Sequence, residues 1–573
     1  MPMHNHDVAQ VLDKMADLLE IQGSNQFRVR AYRNAARVVE SQAREIEDMV
    51  REGEDLSELP GIGKDLAAKI GEITRTGRLS KLDEIGKQIP EELGSLMGIG
   101  GLGPNRIHTI YNRLGIKTET DLKEAALHGE ISKIEGFGSK IEQKILEDIA
   151  NRANLGNRVK YIVADETARS IVRKLKALPE VAEVVVAGSY RRRRETVGDL
   201  DILVICSDHE KVMTAFTGYD DVAAVVSKGT TRSTVLLRSG LQVDVRVVTG
   251  ISYGAALHYF TGSKQHSIAV RKLGQKKNLK INEYGVFHGE KQIAGRTEEE
   301  IYLSVGLPYI EPELREDRGE IEAAQKGTLP MLVTVGDIRG DLHTHTTATD
   351  GRNTLEEMVR AAVEKGYEYI AITNHSPKTT IAHGIDTHAL MEQMKEIDRL
   401  SSRYPEITIL KSSEVDILED GSLDYPDEVL KTLDLTVCSV HYYQKLPESK
   451  QTERVIRAMD NPFFTIFAHP TGRLINERKP YEIDLGRVMK AARERRCFLE
   501  LNSHPDRLDM NDIYCKQAKD LGVMVAISTD AHSIHDLGYL RLGVNQARRG
   551  WLEKSDVLNC LPIDELKEKI RRT

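Results

Sequence analysis

Gly188-Ser-Tyr-Arg-Arg-Arg-Arg-Glu-Thr-Val-Gly-Asp-Leu-Asp-Ile202 is the stretch from which the rest of the chain is read. Val181–Val186 before it is apolar enough for a strand, and Leu200–Ile205 reads as a second strand. Side chains two apart on a strand share a face, so Asp199 and Asp201 stand side by side. Like charges brought that close call for a cation between them. Leu241–Val248 offers another strand with Asp244 in its middle, an acid that is costly to bury unpartnered. Three carboxylates of this kind can hold two Mg²⁺ ions about 3.5–4 Å apart, a geometry of phosphoryl transfer served by oxygen ligands. The Gly188-Ser189 turn offers N–H groups and a hydroxyl to a triphosphate. A solvated Asp-x-Asp at a strand edge is the plainer reading, and the arginines, the Gly-Ser turn and Asp244 together weigh against it.

With these residues the segment resembles the nucleotidyltransferase palm of family X DNA polymerases, and Tyr259-Phe-Thr-Gly-Ser263 and Lys280-Ile-Asn-Glu-Tyr284 resemble that family's nucleotide-pocket and thumb motifs. The resemblance implies that Asp199 and Asp201 hold both Mg²⁺ ions and that Asp244 holds the one serving the primer 3′-hydroxyl. It puts Gly188, Ser189 and Arg192 on the β- and γ-phosphates, Tyr259, Phe260 and Gly262 in the nucleotide pocket, and Arg271 on the template side. Lys264 and Ser267 depart from the family pattern, and Lys264 is expected to face the incoming nucleotide.

At 573 residues the chain should hold several domains. A net charge of −8 argues against a uniformly basic surface, so nucleic acid must be met by local basic patches. The five cysteines lack a C-x-x-C pair, which points to reduced thiols and a cytoplasmic setting. No long apolar run suggests a membrane segment or signal region.

Residues 7–50 read as helices, with Val8, Val11, Leu12, Met15, Leu18 and Leu19 at helical spacing. Leu59-Pro-Gly-Ile-Gly-Lys64 then opens a further helix, where Gly61 and Gly63 expose N–H groups at the positive end of the helix dipole. The pattern returns around Gly98 and Gly100 and again in Ile134–Ile141. Three such turns resemble helix-hairpin-helix repeats, which hold DNA backbones without reading sequence. By the same family resemblance, Lys69 matches a lysine that removes a 5′-deoxyribose phosphate, and Arg28 and Tyr32 match its neighbours. Asp65 stands where that family carries another lysine, and an acid there raises the pKa of Lys69 and favours a plain phosphate contact.

From residue 337 strand-like runs alternate with helical ones, as in a parallel α/β domain. The strands end in acids and histidines, and barrel enzymes gather functional residues at that end. This half resembles the PHP (polymerase and histidinol phosphatase) domain through Asp341-Leu-His-Thr-His345, Thr349-Asp-Gly351, Thr373-Asn-His375, Ser413-Glu414, Cys438-Ser-Val-His441, Ala468-His-Pro470 and Ser528-Thr-Asp-Ala-His532. The resemblance implies metal ligands His343, His345, Asp350, His375, Glu414, His441, His469, Asp530 and His532. Such a set implies two or three ions, with Mn²⁺, Zn²⁺ and Fe²⁺ all compatible. Asp341, His383 and His504 are read as structural, and Arg496–Asn502 as a strand carrying no ligand.

The expected architecture is a multidomain α/β chain: a helical DNA-binding region over 1–82, helix-hairpin-helix fingers over 83–157, an α+β palm over 158–250 and a thumb over 251–317. A linker over 318–336 and a distorted seven-stranded (β/α) PHP barrel over 337–573 complete it. The two resemblances imply a DNA-dependent polymerase filling short gaps in repair, acting as a monomer on gapped or nicked DNA with dNTPs. They also imply a 3′→5′ exonuclease in the PHP half, with cleavage at abasic sites and phosphomonoester hydrolysis not separated from it. A nuclease or phosphoesterase with a DNA-binding but non-polymerising front is the alternative.

Overall fold

The computed structural model describes residues 5–40, 46–59, 61–86, 90, 93, 96, 99, 102–155 and 158–571. It divides into two compact units, Met1–Asn157 and Arg158–Thr573. In the first, helices Asn5–Ile21, Gln26–Glu40, Lys64–Thr76, Pro104–Leu114 and Ser139–Leu155 enclose one continuous core from Val8 to Ile149. Val8, Leu12, Met15 and Leu18 are buried in it, as their helical spacing requires. Gly63 caps helix Lys64–Thr76, with Gly61 at φ +78° two residues earlier. Gly138 precedes helix Ser139–Leu155, with Gly136 at φ +87° in the corresponding place. In the middle repeat the helix starts at Pro104 and its cap is Gly103, so the glycine beside the helix lies three positions later than Gly100. Gly98 and Gly100 themselves fall outside the described residues.

The second unit opens with a five-stranded sheet: β1 (Val181–Val186), β2 (Asp199–Cys206), β3 (Val222–Lys228), β4 (Arg232–Leu237) and β5 (Gln242–Val247), in the order β1-β2-β5-β4-β3. Strands β2 and β5 run parallel, which sets Asp201 directly opposite Asp244. The sheet's apolar core does not stop at its edge. Ile475, Leu508 and Leu542, from far along the chain, join Ile202, Val204 and Val243 in one cluster.

Helices Tyr253–Thr261 and Lys264–Lys276, a small three-stranded sheet and helix Glu298–Val305 follow. The expected plain linker over 318–336 carries helix Glu320–Lys326, whose Ile321 and Ala324 sit in the same core as Val270 and Tyr302. Glu320, fully buried, accepts from His266 at 2.6 Å, and the other nitrogen of that ring meets the Tyr302 hydroxyl at 2.8 Å. Charge-rich composition concealed this packing, because the charges are paired inside rather than solvated.

Arg315 is likewise fully buried and is matched by Glu298, which also receives Arg191 at 2.6 Å. Burial opposes ionisation of Glu298, but Arg315 and Arg191 overcome it and lower its pKa from 4.5 to about 2. The stabilisation is complete above about pH 4.5 and is lost as the pH falls toward 2. Glu298→Ala strands a buried guanidinium and should cost about 3–5 kcal/mol. Faster hydrogen exchange across residues 251–317 is the expected readout.

The chain ends in seven parallel strands: β6 (Gly340–Thr344), β7 (Tyr369–Ile372), β8 (Thr408–Asp416), β9 (Leu435–Ser439), β10 (Ile466–Phe467), β11 (Phe498–Asn502) and β12 (Val525–Ser528). They pair in chain order, and a Thr344–Ala531 bridge brings β12 back to β6. Every strand but β8 is buried along its whole length, as a parallel sheet wrapped by helices demands, and β8 is partly exposed at Thr408 and Lys411.

Candidate active sites

The first site lies where β2 and β5 start. Asp199 is exposed, Asp201 half-buried and Asp244 buried. Asp244 is fully engaged: Arg232 and Thr234 donate to one oxygen at 2.9 and 2.7 Å, and Gln242 donates to the other at 2.9 Å. Burial raises the Asp244 pKa, but these donors outweigh it and hold it below the ordinary value. Asp201 has the opposite balance. Burial, then the Asp199 and Asp244 carboxylates, push it up to about 7. Carboxylate oxygens in mutual repulsion are a donor set suited to Mg²⁺.

Beside them is a cavity of about 350 Å³ lined by Gly188, Ser189, Arg192, Asp199, Asp201, Tyr259, Phe260, Gly262, Lys264 and Arg271. All eight residues expected around a nucleotide thus meet at the acidic pair. Arg158 and Ser267 complete the wall. Arg158 escaped the sequence reading because it is a lone arginine ahead of the first helix of the unit. Among the described residues, the buried hydroxyls of Ser189 and Ser267 have no hydrogen-bond partner. Such groups are costly unless a ligand satisfies them.

Two glycines are required by geometry. Gly188 has φ +65°, and a Cβ there would stand 3.0 Å from an Asp201 oxygen. Gly262 has φ +67°, and its Cβ would stand 3.2 Å from the Arg192 guanidinium.

The arginine run is no solvated loop. Arg191 reaches Glu298 and Thr261, Arg192 donates to Glu316 at 3.0 Å and to the Thr261 carbonyl, and Arg193 reaches the Tyr161 hydroxyl. Tyr259 and Phe260 stand edge-on, ring centres 5.1 Å apart, with Arg246 4.5 Å over the Phe260 ring. Arg271 donates to the Ser267 carbonyl at 3.2 Å.

The second site is at the C-terminal rim of the barrel, where all nine expected residues converge. Three groups have ligand atoms close enough to share an ion: His345, Asp350, His375 and His532; His343, His345 and Asp530; and His375, Glu414 and His441. His469 approaches Glu414 at 3.0 Å. The Nε2 atoms of His343 and His345 face each other at 3.1 Å, with an Asp530 oxygen 3.4 and 3.2 Å away. Among the described residues, the buried Nδ1 of His345 has no hydrogen-bond partner. Lone pairs converging in this way fit a metal better than they fit one another. Burial disfavours protonating His375, yet Glu414 and Asp350 push it up to about 10. Burial and the neighbouring His532 and His375 push His345 down to about 3.

Two residues were missed. Glu500, in the strand read as lacking a ligand, accepts from His343 Nδ1 at 2.7 Å and from the His469 backbone N–H at 2.7 Å. An acid in the middle of the apolar run Cys497-Phe-Leu-Glu-Leu-Asn502 is the signal the sequence offers, the same kind that marks Asp244, and in the structure Glu500 is fully buried. Asp416 stands 3.2 Å from His441 Nδ1 and also accepts from Thr379. These carboxylates orient the imidazoles from behind. Asp341 holds Thr529 and the His343 N–H, in keeping with a structural role.

In the first unit Lys69 pairs with Asp65 and lies 5.3 Å over the Tyr32 ring. Burial favours its neutral amine, but Asp65 holds its pKa above the ordinary value. Arg28, on helix Gln26–Glu40, is exposed.

Comparison with known families follows this layout. Residues 3–79 match a helix-hairpin-helix domain and 93–151 a SAM-like helix-hairpin-helix tandem. Residues 163–249 match the DNA polymerase beta palm, 256–316 the DNA polymerase beta thumb and 341–504 the PHP domain. The DNA polymerase/3′-5′ exonuclease PolX of Bacillus subtilis is 37% identical over 577 residues, covering 100% of both chains. A probable phosphatase of Thermoanaerobacter sp. is 30% identical over 242 residues, 40% of this chain and 94% of its own. DNA polymerase lambda of Rattus norvegicus is 24% identical over 343 residues, 55% of this chain and 56% of its own.

Proposed function

Because this chain belongs to the family X DNA polymerases that carry a PHP domain, we propose that it fills short gaps in DNA from the palm and trims 3′ ends at the barrel. The observation that carries the polymerase reading is the cavity that joins Asp199 and Asp201 to the Gly188-Ser189 turn and the unsatisfied Ser189 and Ser267 hydroxyls. Asp199, Asp201 and Asp244 would hold two Mg²⁺ ions, which supply charge neutralisation and a more acidic 3′-hydroxyl. The chain's own residues do the placing, which is most of what phosphoryl transfer needs. Gly188 lets the turn approach, Ser189 and Arg192 grip the triphosphate, and Lys264 and Arg271 line its approach.

At the barrel rim the imidazoles and carboxylates would hold two or three ions of the Mn²⁺ or Zn²⁺ type, which acidify water and neutralise a phosphodiester. Glu500 and Asp416 fix the rings that take part. Phosphomonoester hydrolysis is the second reading, favoured by the phosphatase relatives of this half. Abasic-site cleavage belongs to the same chemistry. Each site is complete within one chain, so we take the working form to be a monomer. Among the described residues no helix is long and apolar enough to cross a membrane. The free cysteines are in keeping with a cytoplasmic setting.

The gap-filling reading is tested by comparing extension across a short gap bearing a 5′-phosphate with extension on an open template. Faster insertion at the gap is expected, and equal rates would remove the gap preference.

Two further outcomes follow. Tyr259, half exposed beside Phe260, forms the wall against a 2′-hydroxyl, so Tyr259→Ala should raise ribonucleotide use relative to dNTP by about tenfold. An unchanged ratio would place discrimination elsewhere. Lys69, held cationic by Asp65, acts as a phosphate contact rather than a Schiff-base nucleophile. Borohydride with a 5′-deoxyribose phosphate end should trap wild type no better than Lys69→Ala. A trapped complex that Lys69→Ala abolishes would contradict this.

A further inference from the structure

Arg192, which the reading above puts on the triphosphate, is held in place from the barrel. Its guanidinium donates to Glu316 at 3.0 Å. Arg549, at the end of helix Leu540–Arg549, donates to the same Glu316 oxygen at 2.9 Å and to the Arg192 backbone carbonyl at 2.7 Å. Its other terminal nitrogen reaches Asp512 at 2.7 Å, and Asp512 also receives Arg318 at 2.9 Å. Charges therefore alternate from Arg192 through Glu316, Arg549 and Asp512 to Arg318. The first three side chains are nearly closed to solvent, at 11%, 9% and 3% exposure, so their attraction is weakly screened.

The helix that carries Arg549 is itself seated on the palm. Leu542 is part of the palm core. Arg541 pairs with Asp165 at 2.9 Å, and Asp165 accepts from the hydroxyl of Tyr190, the residue between Ser189 and Arg191. The barrel thus holds the segment just after the Gly188-Ser189 turn at two points, Tyr190 through Asp165 and Arg192 directly.

We propose that Arg549 of the PHP barrel is a positioning residue for nucleotide binding in the palm, acting through Glu316 and the Arg192 carbonyl. The proposal rests on the assignment of Arg192 to the triphosphate. A carboxylate shared by two guanidiniums neutralises each in part, which leaves Arg192 with charge to spend on a phosphate. Without Arg549, Arg192 is the one guanidinium hydrogen-bonded to Glu316 among the described residues, and the carboxylate draws it onto itself. The turn also loses the hydrogen bond that fixes its backbone. Binding of the nucleotide should suffer, while the chemical step and the barrel site, which Arg549 does not touch, should not.

The test uses the full chain on a gapped duplex with Mg²⁺, reading KM and kcat for dNTP, together with 3′-end degradation. Arg549→Met should raise KM about tenfold with kcat and degradation within about twofold of wild type. Arg549→Lys keeps the charge but not the planar fork, so its KM should rise about threefold. Arg192→Ala is the control for the premise. If Arg192→Ala raises KM and Arg549→Met does not, the link fails while the pocket reading stands. If Arg192→Ala leaves KM unchanged, both fall. A loss of degradation in step with polymerisation would overturn the proposal in favour of a simple docking contact. Should Arg549→Met not fold, Arg549→Lys decides alone, and an unchanged KM overturns the proposal.

Discussion

Asp201→Asn is expected to lower primer extension by on the order of 10³-fold or more while 3′-end degradation persists. The reason lies in how Asp201 differs from its neighbours. Asp244, opposite it across the β2–β5 pairing, is already held by Arg232, Thr234 and Gln242. Among the described residues Asp201 has no such donors, and burial and then the Asp199 and Asp244 carboxylates crowd it. It is the carboxylate that most needs a cation, and so the one through which a divalent ion is best held. Asparagine keeps the shape and removes the charge, so Gly188 still fits against it and the fold should be undisturbed. Extension at the wild-type rate would show that the cavity is not where nucleotides are joined.

Replacing His343 and His345 together by Ala should have the converse effect. Their Nε2 atoms face each other at 3.1 Å and share Asp530, and His345 belongs to two of the three ligand groups. The double change takes ligands from both groups and leaves Glu500 and Asp530 as buried acids that have lost His343 and, for Asp530, His345 as well. Bound metal should drop, and 3′-end degradation should fall by more than about 100-fold, since altering even the residues behind metal ligands costs about 10–100-fold. Extension should stay near the wild-type rate. Metal content and degradation equal to wild type would mean that the histidine cluster is structural.

The parts that were legible in the sequence are those where a costly residue sits in a cheap pattern. Asp199, Asp201 and Asp244 stand out because strands of Val, Leu and Ile have no other use for them. The barrel histidines stand out because apolar runs end on them repeatedly. What stayed hidden depends on partners distant in sequence. Glu500 looks like one acid in a strand until the strand is placed behind His343. Glu316, at the end of the expected thumb, and Glu320, in the expected linker, gave no sign of their pairing because neither Arg192 and Arg549 nor His266 is near them in the chain. The middle repeat has several glycines, and pattern alone does not place the start of helix Pro104–Leu114 among them; the structure puts its cap at Gly103, while Gly98 and Gly100 lie outside the described residues. The arginine run shows the limit most clearly. The run is legible as a phosphate-binding segment, but not in its pairing: Arg191 and Arg192 are each matched to a carboxylate supplied from beyond residue 297.

On this reading one chain carries two separate metal-dependent sites, one that lengthens a DNA strand and one that shortens it. A gapped duplex with a labelled primer, incubated with the full chain in Mg²⁺ or Mn²⁺ with and without dNTPs, tests it most directly. Longer product with dNTPs and shorter product without them is the predicted result. Shortening under both conditions, or no change in length under either, would contradict it.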